Sequence, residues 1–228
     1  MPTMAQLVSE LEAALSRVRL ESYRPPGGSD LDMVVNYFWN IDLAEALLPS
    51  LHAAELALRN AISNVIAADR RTDLWYYEPD LLEPGQLQQF AQALLALTRK
   101  KAPPTGGRIV AQLSFGFWVT MLSGPYERRL WSPNGYALLL GAFPHAGPLS
   151  RKQAYDRFNT IRELRNRVFH YEAIWNRPNL AGDHAGIREA IGWISPSLGD
   201  MIAVVDTFAA VHGGRAGVEA RILSRVNP

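Results

Sequence analysis

The chain has 228 residues, 48% of them hydrophobic and 20% charged, which is enough to bury a full core. A formal net charge of +1 excludes a protein that coats nucleic acid by bulk charge, so any such contact must be a local patch. With no cysteine, disulfide frameworks, thiol catalysis and thiolate zinc sites are excluded together.

The most apolar run, 109–122, is short for a bilayer and contains Gln112 and Ser114, so no membrane span is expected. No basic segment followed by an apolar signal core opens the chain, and a cytoplasmic location is the expectation.

In chain order, Thr3-Met4-Ala5-Gln6 reads as a reciprocal helix cap, and Leu7, Leu11, Leu15 and Val18 carry a first helix to about Leu20. Pro25-Pro26-Gly27-Gly28 breaks it. A second helix over 31–48 holds Val34, Tyr37, Phe38, Ile41 and Leu47; Pro49 divides it from a third over 51–68. Leu74-Trp75-Tyr76-Tyr77 reads as an irregular aromatic turn. Pro84 suits the start of a helix running toward Lys101.

After the linker 102–107, the run 109–122 reads as one central core helix. The stretch 124–147 is rich in glycine, proline and aromatics and reads as a loop with short turns around Tyr136 to Leu140. Ser150 to Gln153 caps the next helix, over about 150–170. Asp183 is expected to cap a helix to Trp193, and 201–211 to form the last substantial one. No run alternates with period two, so the fold is expected to be all-α, with 1–228 as a single domain.

Two charges stand out against this pattern. On the helix over 150–170, Ala154, Phe158, Ile161, Leu164 and Val168 gather on one face, and Arg165 lies near its middle. Glu55 is likewise surrounded by Leu51, Leu58, Ile62 and Ile66. An uncompensated buried charge costs about 3–5 kcal/mol, so each needs a partner. Either the two pair and hold helices in register, or Arg165 meets a phosphate or a second subunit.

The stretch Arg165-Asn166-Arg167-Val168-Phe169-His170 joins that guanidinium to an imidazole. Such a pair can cleave RNA, since one group stabilises phosphate charge while the other moves protons. Arg162 and Arg167 are candidates for further phosphate contacts, and Tyr171 for a base or ribose. The remaining histidines, His52, His145, His184 and His212, are scattered without metal-ligand spacing and read as surface or capping residues. No metal site or cofactor is implied. Trp75, Tyr76, Trp118 and Trp131 could stack bases, but core packing is the expectation.

At these residues the chain resembles the Abi-like (abortive infection) proteins of the HEPN superfamily, helical domains with the pattern R-N-x-x-x-H. Tyr37-Phe38-Trp39-Asn40 followed by Glu55 to Asn60 resembles the N-terminal half of that family, and 109–118 its central apolar segment, so the resemblance spans 31–178. It implies a HEPN-like bundle with additional helices and a metal-independent endoribonuclease, a toxin or antiphage effector. His170 would be the general base, Arg165 the phosphate stabiliser and Asn166 an orienting group. The products would be a 2′,3′-cyclic phosphate and a 5′-hydroxyl.

Five residues on a continuous helix place Arg165 and His170 about 140° apart. Either the helix ends near Phe169 or two copies of the chain complete one site; the resemblance implies a homodimer. An antitoxin protein or a small RNA is a further partner of such effectors. The alternative is a non-catalytic helical module that binds RNA, a nucleotide or a protein.

Overall fold

The computed structural model describes residues 1–226, and every regular element among them is helical. Helix α1 (Met4–Leu15) opens on the expected cap: the Gln6 N–H donates to Thr3 Oγ1 at 3.3 Å and the Thr3 N–H to Gln6 Oε1 at 2.8 Å. It stops at Ser16 rather than Leu20, because Ser16 takes a left-handed φ of 72° and starts α2 (Arg17–Glu21) as its N-cap.

Helix α3 (Asp30–Arg70) is continuous where two helices are expected. Pro49 removes only one backbone donor, and the freed carbonyl belongs to Glu45, an exposed residue that water can serve. Helix α4 (Pro84–Arg99) starts at the expected proline.

The apolar run near 109–122 is split into α5 (Gly106–Gln112) and α6 (Phe115–Met121), because Ser114 leaves the helix to cap α6, accepting the Phe117 N–H at 3.1 Å. After α7 (Ala137–Ala142) comes the motif helix α8 (Arg151–Phe169), with Ser150 and Gln153 bonded reciprocally. Helix α9 (Leu180–Ile194) begins ahead of Asp183, whose carboxylate pairs with Arg177 instead of capping. The expected helix over 201–211 is broken at Asp206, which accepts the Phe208 N–H at 3.0 Å and separates α10 (Pro196–Val205) from α11 (Phe208–His212). A last helix, α12 (Arg215–Leu223), was not expected.

The chain forms two compact units, each discontinuous in sequence. The first takes 1–50, 164–185 and 204 onward; the second takes 51–163 and 186–203. The boundaries fall inside α3, α8, α9 and α10.

In the second unit, Trp75, Tyr76, Trp118 and Trp131 are all at most 1% exposed, so they are core, as expected. Trp75 and Trp118 meet edge-on at 6.1 Å, and Trp131 Nε1 donates to the Met121 carbonyl at 2.6 Å. From α8, Phe158 packs with Phe143 and Trp193.

The first unit is organised on the N-terminal half of α3. Its core joins Val8, Leu20, Tyr23, Met33 and Val34; each fully shielded aliphatic contributes about 1.5–3 kcal/mol relative to exposure. Polar side chains of α3 then reach the C-terminal segment. Arg215 donates to Asn36 Oδ1 at 2.9 Å and to Asp32 at 2.8 Å, Trp39 Nε1 donates to the Val211 carbonyl at 2.9 Å, and Arg221 meets Asp42 at 2.6 Å.

Hydrogen bonds from the Ser29 hydroxyl and backbone, with Arg215 beside them, hold the Asp32 carboxyl below its ordinary value. A depressed folded-state value means that this stabilisation is fully present above the unfolded value of about 4 and is lost as pH falls through the folded one. Thermal unfolding followed from pH 6 to pH 2 is therefore expected to show a shallower acid decline in Asp32→Asn than in the parent.

Candidate functional site

Arg165, Asn166, Arg167, His170 and Tyr171 all lie in the first unit, on the last turns of α8 and the turn that ends it. The helix is closed by a left-handed cap. The Tyr171 N–H donates to the Val168 carbonyl at 3.2 Å and the Glu172 N–H to the Arg167 carbonyl at 2.8 Å, a Schellman pairing with His170 at the cap. Tyr171 occupies the position where glycine is usual, with φ 58°. The left-handed backbone costs a bulky residue about 1–2 kcal/mol.

Asn40 of α3, a buried residue, offsets that strain. Its Oδ1 accepts the Ile174 N–H at 2.7 Å and the Trp175 N–H at 3.1 Å, while its Nδ2 donates to the Glu172 carbonyl at 3.4 Å and to the Tyr23 hydroxyl at 3.5 Å. Burial pushes the Tyr23 phenol up, which keeps it neutral beside the amide. Arg19 adds a hydrogen bond to the Tyr171 carbonyl. Asn36 and Asn40, four apart on the apolar face of α3, were the available sequence signal for such a clamp, since buried amides require partners.

Arg165 is half-buried rather than enclosed at the middle of an apolar face, although Ile161, Leu164 and Val168 around it are buried as expected. Its guanidinium carbon lies 4.2 Å from the centroid of the Phe169 ring, one turn on, a contact worth about 0.5–1 kcal/mol near the surface. Asn166 and His170 are exposed one turn apart, with the His170 N–H donating to the Asn166 carbonyl at 2.9 Å. The helix does end at Phe169, yet this bond keeps His170 in helical phase, so the end of the helix does not swing it toward Arg165.

Two adjoining cavities flank the turn. An apolar one of about 510 Å³ is lined from α3 by Tyr37, Ile41, Ala44 and Leu48, and from α8 by Val168 and Phe169. A more polar groove of about 670 Å³ includes Arg167. Arg19, Tyr23, Tyr171 and Glu172 line both. Arg165, Asn166 and His170 line neither.

Of the auxiliary candidates, Arg167 and Tyr171 therefore border a cavity. Arg162 belongs to the second unit, where it is half-buried and donates to Asn159 at 2.6 Å. Glu55 is also in the second unit, half-buried on a face where Leu51, Leu58, Ile62 and Ile66 are buried. His184 is not a surface residue: it is buried, with Nε2 3.0 Å from the Asp206 carboxylate and its ring stacked on Phe208 at 4.2 Å.

Among the described residues, no three His, Asp or Glu side chains are grouped to hold a metal ion, and no helix is long and apolar enough to cross a membrane. No known protein family, curated protein or solved structure matches the chain.

Replacing Asn40 by alanine strands the Ile174 and Trp175 N–H groups in a shielded position. At about 1–3 kcal/mol for each buried unsatisfied donor, the loss is expected to be about 2–6 kcal/mol by chemical denaturation. Tyr171→Gly is expected to raise stability by up to about 1 kcal/mol in the same measurement, because it relieves the left-handed strain. The ring it removes is 75% exposed and packs little.

Proposed function

We propose that the chain is a metal-independent endoribonuclease of the abortive-infection or toxin type, acting as a homodimer. The observation that supports this reading is the arrangement at the end of α8. Asn166 and His170 are presented to solvent one turn apart, and the Arg165 guanidinium is held against the Phe169 ring, in the order R-N-x-x-x-H.

RNA supplies its own nucleophile, so few protein groups are needed. The His170 imidazole takes the proton of the ribose 2′-OH as that oxygen bonds to phosphorus, and Asn166 orients the reacting group. The Arg165 guanidinium stabilises the charge that develops on the non-bridging oxygens. The bond from phosphorus to the 5′-oxygen breaks, and the departing oxygen takes a proton from the imidazolium of the second copy. The products are a 2′,3′-cyclic phosphate and a 5′-hydroxyl.

The angular separation of Arg165 and His170, about 140° on one helix, is the geometric argument for two copies. Arg165 of one copy then works beside His170 of the other. A restraining partner, either a protein or a small RNA, follows from the toxicity of such an activity.

The test is cleavage of cellular RNA in the presence of chelator, with analysis of the RNA ends. His170→Ala is expected to lower the rate by about 10²–10⁴-fold and Arg165→Ala by about 10²–10³-fold, with His52→Ala as the unaffected control. Growth arrest on expression should disappear with His170→Ala. Cleavage abolished by chelator, or a His170→Ala protein as toxic as the parent, overturns the mechanism. The second reading, a non-catalytic module for RNA, nucleotide or protein, draws support from the cavities that none of the three motif residues lines; a purified dimer that leaves RNA intact would favour it.

A further inference from the structure

We propose that the two adjoining cavities of the first unit hold one nucleotide of single-stranded RNA, with its base in the apolar cavity and its phosphate in the polar groove. The choice of RNA rests on the ribonuclease reading; the cavities themselves do not. A volume of about 510 Å³ lies within the range of small-molecule sites, which are mostly apolar with a few convergent polar groups.

Tyr37, Phe169 and Tyr171 line the apolar cavity, and aromatic faces are what unpaired bases stack on. The polar groove is lined by Arg19 and Arg167 against the single acidic residue Glu172, whose carboxylate lies 3.9 Å from Arg167, and the positive charge left over suits a phosphate. Arg19 lines both cavities and so stands where a nucleotide changes from base to phosphate.

The exposed surface points the same way. Ile41, Leu48 and Phe169 are 46%, 41% and 49% exposed, and Tyr171 is 75% exposed on a strained turn that Asn40 and Arg19 hold. Such strain is retained where a side chain must be presented rather than packed.

The site also adjoins the motif. Phe169 and Tyr171 flank His170 in sequence, and Phe169 carries the Arg165 guanidinium. A nucleotide held here is thus a neighbour of the phosphate to be cut. Of the two acidic residues that line the apolar cavity, Glu172 holds its carboxylate 3.9 Å from Arg167, which leaves Glu45, an acceptor only when ionised. A carboxylate acceptor beside the base favours guanine, which offers two adjacent N–H donors, over uracil, which offers one.

The experiment measures binding of short single-stranded RNAs to the His170→Ala protein by fluorescence anisotropy, comparing a guanine-containing pentamer with oligouridine. Guanosine monophosphate on the parent protein is the small-ligand arm. The guanine RNA is expected to bind about tenfold more tightly than oligouridine. Ala44→Trp, which fills the apolar cavity, and Tyr171→Gly, which removes a ring while relieving strain, should each weaken binding by about tenfold with thermal stability retained. Arg167→Ala should reduce the slope of log affinity against log salt by about 0.7.

Parent-like RNA binding in both Ala44→Trp and Tyr171→Gly overturns the proposal. So does a change of sedimentation state in Ala44→Trp with RNA binding intact, which would make the cavity a protein interface. Equal affinity for the two RNAs overturns the assignment of guanine. Binding that Ala44→Trp abolishes in a protein that never cleaves RNA supports the nucleotide site and removes only the catalytic reading.

Discussion

The side-chain amide of Asn40 bonds through both of its ends: two backbone N–H groups on its oxygen, a carbonyl and a phenol on its nitrogen. All three backbone groups belong to the segment that leaves α8, and Asn40 itself is buried on the N-terminal half of α3. The path of residues 172–175 is thereby set by one side chain rather than by regular secondary structure. The turn at His170 and Tyr171, which a tyrosine would not adopt on its own preference, is held between that clamp and the last helical bonds of α8.

The geometry of the motif depends on this constraint. With the helix closed tightly after Phe169, His170 stays in phase with Asn166 and points away from Arg165 by the ordinary helical increment. Arg165 is steadied by Phe169 at 4.2 Å, and Phe169 in turn belongs to the cavity that α3 completes. The surface chemistry of one helix end and the hollow beside it therefore share a ring and a turn. A loose exit from α8 would lose both together.

Local signals carried much of the architecture because they act within a few residues. The caps at Thr3 and Ser150 and the proline start of α4 lie where their residue types require. So does the apolar face of Ala154, Phe158, Ile161, Leu164 and Val168, all of it buried. The structure departs from these local signals where local and distant forces compete. Pro49 reads as a stop, yet one lost donor does not outweigh the packing of Leu43, Leu47, Leu51 and Ala54 along α3. Ser114 hides inside an apolar run but ends a helix there. Helix α12 is short on apolar residues; Val218 and Ile222 pack inward, and Arg215 and Arg221 tie it to α3.

The sequence by itself determined an all-helical chain and the place of the motif at the end of its helix, because helical periodicity and capping are properties of short segments. Only the tertiary structure decided that Arg165 rests on Phe169 at half burial, and that Arg162 and Glu55 fall in a different unit from the motif. It alone decided that Asn40 holds the exit of α8 and that α3 closes a cavity against Phe169 and Tyr171. The contacts of Asn40 join residues more than 130 positions apart, and pairing at that distance is set by how helices pack, which no local pattern of side chains encodes.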